Sequence, residues 1–220
     1  EKQLDCFISA GNTGAMMVGA MYSVKPIEGI IRPVITSVLP KLDGSIGILL
    51  DVGANADCKP DVLEQFAVLG SLYCKHVYKI DNPRVGLVNI GEEKEKGNLV
   101  TQAAHQLLDE TPGINFIGNI EGRDLFIDKV DVAVCDGFTG NVVLKACESL
   151  YYIFKKKRGV QDEFLDRFDY ENYGGTAILG VNAPVIIGHG ISKSKAFLNM
   201  IRLGKEVIES DLINKIKSSF

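Results

Sequence analysis

The chain has 220 residues, of which 46% are hydrophobic, and it carries a net charge of −4 at pH 7 with a pI of about 5.5. Proteins that bind nucleic acid in bulk are normally basic, so this composition excludes them and we expect no nucleic-acid partner. No apolar run approaches the roughly 20 residues needed to span a bilayer, and the first residues lack a signal-peptide pattern. We therefore expect a cytoplasmic protein in which residues 1–220 form a single α/β domain.

Cysteine and histidine spacing gives no sign of a metal site. The five cysteines include no C-x-x-C pair, and the three histidines are not spaced with them as ligands. Buried, reduced thiols are the prediction for a chain of this kind. We predict neither a metal nor a cofactor.

Short β-branched runs alternate with helix-length segments along the chain. The predicted strands are 6–8, 46–52, 84–90, 115–119, 130–135, 176–181 and 185–188. The predicted helices are 16–21, one that begins at Pro60, 98–109, one from Asn141 onward, and 193 to beyond 209. Alternation through the middle implies parallel crossovers, whereas the last two strands flank a turn and form an antiparallel pair. The prediction is an α/β fold: a three-layer α/β/α sandwich around a mixed, mostly parallel sheet.

The segment 131–145 is the most informative part of the sequence. It predicts a buried strand, a tight glycine-bearing turn at 136–140, and a helix from Asn141. Free N–H groups and the positive end of a helix dipole at such a turn attract anions, so phosphate is the first hypothesis for a ligand. The residues expected around this anion are Asp136, Gly137, Thr139, Gly140, Asn141 and Lys145.

Further loops carry polar side chains beside glycines. Ser9-Ala-Gly-Asn-Thr-Gly-Ala15 matches no nucleotide-binding motif, and it reads equally as a ligand loop or as a turn with an N-cap. The candidate ligand contacts in these loops are Asn12, Thr13, Arg32, Asp51, Asn55, His189 and Ser192. The alternatives are a surface position for Arg32, closure of a turn for Asp51, and an N-cap for Ser192. We expect the loops to converge on one cleft at the carboxyl ends of the strands.

Several motifs in a fixed order carry a resemblance to a known family. They are 9–15, Arg32-Pro33, 51–55, 82–93, 118–124, 131–145 and 173–190. Together they resemble the bacterial phosphate acyltransferase of phospholipid synthesis, the PlsX family. The resemblance implies a fold like that of phosphate acetyltransferases and, more distantly, of isocitrate and isopropylmalate dehydrogenases.

The implied activity is transfer of a fatty acyl group from acyl carrier protein to inorganic phosphate, giving acyl phosphate. Phosphate would be held by the Asn12 and 137–140 turns, with Arg32 or Lys145 balancing its charge. His189 or Asn141 would donate a hydrogen bond to the carbonyl oxygen, and Asp136 would orient a donor or a proton. The implied partners are a second copy in a homodimer and, downstream, a membrane glycerol-3-phosphate acyltransferase.

The one basic run in this acidic chain is a candidate docking site. It consists of Lys155, Lys156, Lys157 and Arg158. An acidic carrier protein is the expected partner, with anionic lipid head groups as a second candidate and a solvated helix end as the plain alternative. The protein would then be cytoplasmic or peripheral at the inner face of the membrane.

Two departures from the family pattern are visible. Family members carry a preceding strand-loop with glycine and aspartate, and a longer helical segment near 155–170. We expect this chain to lack both portions. If catalysis is incomplete, the alternatives are a non-catalytic phosphate- or acyl-sensing module, or a dehydrogenase of similar fold.

Overall fold

The computed structural model describes residues 4–220, and its centre is one mixed sheet of eight strands. The strands are β1 (Phe7–Ser9), β2 (Val34–Pro40), β3 (Ile46–Leu50), β4 (Arg84–Val88), β5 (Asn115–Ile120), β6 (Val132–Val134), β7 (Gly175–Leu179) and β8 (Val185–Gly188). Their order across the sheet is β1-β8-β7-β2-β3-β6-β4-β5. The sheet is buried on both faces, because β-branched and leucine side chains alternate to either side of each central strand.

Strand direction changes in the middle of the sheet. The pairs β1/β8, β3/β6, β6/β4 and β4/β5 are parallel, whereas β2/β3, β2/β7 and β7/β8 are antiparallel. It follows that β3, β4, β5, β6 and β7 point one way, and that β1, β2 and β8 point the other way.

Helices cover both faces of the sheet. They are α1 (Thr13–Gly19), α2 (Pro60–His76), α3 (Leu99–Glu110), α4 (Gly137–Tyr151), α5 (Glu163–Asp166), α6 (Ser194–Glu209) and α7 (Leu212–Lys217). One hydrophobic core joins the sheet to α2, α3, α6 and α7, and a second core joins the opposite face to α1 and α4. The predicted three-layer α/β/α sandwich is confirmed. No helix within residues 4–220 combines the length and the apolar character that crossing a membrane requires.

Helices α5 and α7 are absent from the sequence prediction, and strand β2 and helix α4 also differ from it. Strand β2 was not predicted, because its Thr36 and Ser37 make it look polar, yet both are buried in the sheet. Helix α4 begins at Gly137 and not at Asn141, because Asp136 is its N-cap and the predicted tight turn is its first helical turn.

A buried ion network joins the amino-terminal ends of β4 and β6 to the end of β2. The Lys41 ammonium is 1% exposed and donates to Asp131 Oδ1 at 2.7 Å. The Arg84 guanidinium donates to both carboxylate oxygens of Asp131 at 2.9 Å. These donors hold the pKa of Asp131 well below its usual range against the opposing effect of burial, which is the largest single influence. The network therefore ties three segments together while keeping its carboxylate ionised.

Asp131→Asn should lower the free energy of unfolding by about 3–5 kcal/mol, because the buried Lys41 would lose its nearest counter-charge and keep the more distant, exposed Asp128 at 3.5 Å. The matched control is Asp109→Asn, which breaks an exposed pair with Lys94 and should cost less than about 1 kcal/mol. Urea unfolding of both variants measures the difference. Equal losses in the two variants would contradict a structural role for the network.

Candidate active site

Asp51 organises the turn that follows β3. Its buried carboxylate accepts the backbone N–H groups of Ile35 at 3.3 Å, Ala54 at 3.2 Å and Asn55 at 2.5 Å. The Asn55 side chain donates to the same carboxylate at 3.0 Å and to the Pro33 carbonyl at 2.9 Å. Burial is the main influence on the pKa of Asp51 and raises it, with the hydrogen bonds opposing. The 51–55 turn is thus closed by Asp51 and Asn55, which leaves neither side chain directed at a ligand.

Helix α4 packs directly on the 51–55 turn through two glycines. The Gly137 N–H donates to the Asn55 carbonyl at 2.7 Å, and a Cβ at Gly137 would lie 2.7 Å from that same oxygen. A Cβ at Gly140 would overlap the carbonyl oxygen of Asp51. Only glycine permits this approach, which brings Asn141 against Gly53.

Three of the four amide groups at 137–140 have acceptors within the protein. Gly137 donates to Asn55, Thr139 donates to Asp136 Oδ1 at 2.7 Å, and Gly140 donates to the Asp136 carbonyl at 3.0 Å. The anion cradle predicted from the apparent turn stays a prediction, and these three amides are not free donors for it. Those amides serve the N-cap and the docking of α4.

A cleft of about 330 Å³, which we call cleft A, crosses the face of the sheet beneath α4. Its floor is formed by side chains of β2, β3, β7 and β8, and α4 forms one wall. The predicted site residues that line it are Thr13, Asn141, Lys145 and His189. Cleft A therefore brings together side chains from three loops that are far apart in the sequence.

The two ends of cleft A lie at opposite ends of the strands. Asn141 and Gly53 line the end near the carboxyl terminus of β3, and His189 and Thr13 line the end where β8 and β1 finish. On β7, Ile178 pairs with Ile35 near the first end, and Gly175 pairs with Gly188 near the second end. These two β7 residues are three positions apart, which places the two ends of the cleft roughly 10 Å apart along the strand. Residues of these loops therefore line one cleft but enter it from opposite ends of the strands, because β1 and β8 run opposite to β3.

His189 is exposed at its end of cleft A. Its ring stacks at a tilt on Tyr170, with 5.0 Å between the ring centroids. The Ile191 N–H approaches Nδ1 at 3.5 Å, a long contact that favours the tautomer with its proton on Nε2. Nε2 is then a hydrogen-bond donor for a ligand in the cleft.

Lys145 and Asn141 lie on α4 one turn apart. Lys145 is half exposed and pairs with Glu148 at 2.8 Å, so its ammonium stands at the rim of cleft A. The Asn141 side chain is half-buried and donates weakly to the Val52 carbonyl at 3.4 Å. The pair thus offers a cation and an amide to the same cleft.

Three further predicted contacts lie outside cleft A, in addition to those at 51–55 and 136–140. Arg32 is exposed and donates to the Asp57 carbonyl at 3.2 Å. Asn12 is the N-cap of α1 and accepts the Ala15 N–H at 3.0 Å. The Ser192 hydroxyl is buried and has no hydrogen-bond partner among the described residues, and Lys193, not Ser192, precedes α6 as its N-cap. Asn12 and Arg32 thus adopt the structural alternatives given for them, whereas Ser192 is not an N-cap and its contact with a ligand stays a prediction.

A second cavity, cavity B, has a volume of about 550 Å³ and lies beyond the carboxyl ends of β4 and β6. Asp136 and Thr139 line it, together with Asp57 and Cys58. The first turn of α4 and the 51–55 turn separate cavity B from cleft A. Asp136 is therefore not beside His189, and burial raises the pKa of Cys58 to about 12, which makes that thiol a poor nucleophile.

The basic run lies on a π-helical turn, Tyr152–Lys157, that extends α4. Lys155 is mostly buried and is paired with Asp166 at 2.5 Å. Lys156 and Lys157 are exposed, and each ammonium lies over a tyrosine ring at 5.4 and 5.2 Å. Arg158 is exposed at the end of the turn, so three of the four cations face solvent.

Comparison with known families identifies the chain's relatives. The family model described as "Fatty acid synthesis protein" matches residues 1–215. A phosphate acyltransferase of Desulforamulus reducens is 46% identical over 98% of this chain and 69% of its own length. The enzyme of the same name from Bacillus subtilis is 44% identical over 96% of this chain and 69% of its own length. The chain spans about two thirds of these relatives.

Solved structures agree on the fold. A phosphotransacetylase of Streptococcus pyogenes superposes with a TM-score of 0.63 at 18% identity, covering 93% of this chain and 63% of that protein. The EutD phosphotransacetylase of Staphylococcus aureus gives 0.62 at 16% identity, covering 93% and 64%. The predicted likeness to phosphate acetyltransferases is confirmed at the level of fold.

Gly140→Ala should lower the free energy of unfolding by about 1–3 kcal/mol, because the added methyl group overlaps the Asp51 carbonyl and forces α4 away. Gly19→Ala is the matched control, since it is also a helical glycine but has nothing within 4 Å of its Cβ position. That control should be neutral or slightly stabilising. Thermal unfolding of both variants measures the contrast, and an unaltered Gly140→Ala variant would contradict the close contact.

Proposed function

Because this chain belongs to the phosphate acyltransferase family, we propose that it transfers a fatty acyl group from acyl carrier protein to inorganic phosphate. The products would be an acyl phosphate and the free thiol of the carrier. The acyl phosphate would then serve a membrane glycerol-3-phosphate acyltransferase. The relatives' printed name supports acyl transfer to phosphate, and the carrier protein as donor is our addition to it.

The observation that carries the proposal is the composition of cleft A. One cleft offers the hydroxyl of Thr13, the ammonium of Lys145 and the imidazole of His189 beside a long apolar floor. A reaction between a phosphate and an acyl thioester needs these features: a cation for the anion, a donor for the carbonyl oxygen, and apolar surface for the chain.

The proposed reaction has no acyl-enzyme intermediate. An oxygen of phosphate, hydrogen-bonded to Thr13 and neutralised by Lys145, attacks the thioester carbonyl carbon. The carbonyl oxygen becomes an oxyanion that accepts the Nε2–H of His189. The C–S bond then breaks, and the departing thiolate takes up the proton that the phosphate has lost. Pre-oriented donors of this kind are effective because they need no reorganisation as the charge develops.

The direct test is release of carrier-protein thiol from acyl carrier protein, with and without phosphate. Thiol release that depends on phosphate, together with formation of acyl phosphate, supports the proposal. Binding of the acyl carrier without turnover would favour a sensing module instead. Reduction of a nicotinamide cofactor would favour a dehydrogenase, and either result would overturn the proposal.

His189→Ala should lower kcat by about 10²–10³, the usual cost of losing an oxyanion donor. Asn141→Ala is measured beside it, because Asn141 is the alternative donor at the other end of cleft A. Asn214→Ala and His76→Ala change residues of the same types outside the cleft and serve as controls. Wild-type turnover in both cleft variants would eliminate an oxyanion role for either residue.

The exposed cations of the basic run are the proposed docking site for the acidic carrier. Lys156→Glu with Lys157→Glu should raise the KM for acyl carrier protein and leave kcat nearly unchanged, and high salt should raise the wild-type KM similarly. The control pair is Lys215→Glu with Lys217→Glu on α7.

Kinetics at two salt concentrations measure this effect. If the KM for acyl carrier protein changes with neither salt nor the charge reversal, electrostatic docking at this turn is excluded. Loss of binding to anionic vesicles with an unchanged KM would instead assign the run to a membrane surface, in line with a peripheral location. Sedimentation of the intact protein addresses the expected homodimer separately.

A further inference from the structure

Cleft A has more apolar length than a phosphate or a thioester needs. Ile35, Ser37 and Leu39 are alternate residues of β2, so all three face the cleft along about 13 Å of strand. Leu49 of β3 and Ile187 of β8 lie on the same face and extend the floor sideways. A floor of this shape fits a flexible hydrocarbon chain laid along the strand.

The wall above this floor comes from one side of α4. Val143 and Leu144 are half-buried against the second core, and Cys147 lies one turn further along the helix. Val142, the residue next to Val143, points away from the cleft and is 54% exposed. Adjacent valines of α4 therefore have opposite environments.

The two ends of the cleft differ in character. At one end, His189 and Thr13 are exposed and polar, so a carrier-bound thioester could reach them from solvent. At the other end, Val52 is 7% exposed and packs in the second core with Val143 nearby. An acyl group would place its polar carbonyl at the open end and its methyl terminus at the apolar end.

Resting on the proposed function, we propose that cleft A is the acyl-chain site, with the carbonyl at His189 and the chain end against Val143 and Val52. Val143 is then a specificity-determining residue that limits acyl chain length. Extra side-chain volume at this position removes space only from the distal carbons, so short chains are unaffected. Asn141 lies beside the chain end and not beside the carbonyl.

The test compares Val143→Phe with Val142→Phe, which adds the same side chain to the outer face of the same helix. Thiol release is measured with butanoyl- and decanoyl-carrier protein. Val143→Phe should lower kcat/KM for the decanoyl substrate roughly tenfold or more relative to the butanoyl substrate. Val142→Phe should keep the wild-type ratio. Val143→Ala enlarges the cleft and should shift the ratio of the two kcat/KM values toward the longer chain. This variant still tests the proposal if Val143→Phe does not fold.

Equilibrium binding of the two acyl carriers without phosphate separates this proposal from the proposed function. Selective weakening of decanoyl binding in Val143→Phe supports the acyl site even if no acyl phosphate forms. Equal effects on both chain lengths, or the same change in Val142→Phe, would overturn the acyl site while leaving phosphate-dependent turnover intact.

Discussion

The close approach of α4 to the 51–55 turn is the contact on which the arrangement of the site depends. A buried carboxylate, Asp51, closes the turn by collecting backbone N–H groups, and two glycines let the helix rest against that backbone. A methyl group would not fit at Gly140, because the backbone of α4 lies directly against the Asp51 carbonyl of the turn. The helix and the turn together set the position of Asn141 and form the partition between cleft A and cavity B.

The reversal of strand direction within the sheet determines the shape of the cleft. In a sheet with all strands parallel, the loops that follow the strands lie at one end of the strands. Here β1 and β8 finish at the end where β3 begins. The consequence is a cleft that crosses the sheet face and has a polar opening at one end. Such a cleft suits a substrate with a reactive head and a long apolar tail better than it suits a small anion alone.

Charge is used differently in the two halves of the molecule. Lys41, Arg84 and Asp131 form a largely buried network at the amino ends of the parallel strands, where it joins separate segments. The ammonium of Lys145 stands at the rim of cleft A and is paired with the half-exposed Glu148. Pairs of the second kind are weak and easily exchanged for a substrate anion, whereas the first kind is costly to break.

Local patterns in the sequence were enough to predict the α/β class and most strands and helices, because hydrophobic periodicity is recorded within a few residues. The family came from a resemblance carried by several motifs along the chain. Those motifs include Thr13, Asn141, Lys145 and His189, which line cleft A and whose roles stay predictions. What they could not decide was which of these residues share a cleft. The Gly137 amide reads as part of an anion cradle until the tertiary structure supplies the Asn55 carbonyl as its acceptor. Strand direction, the partners of buried N–H groups and the depth of a cleft depend on contacts between distant segments, so only the folded chain determines them.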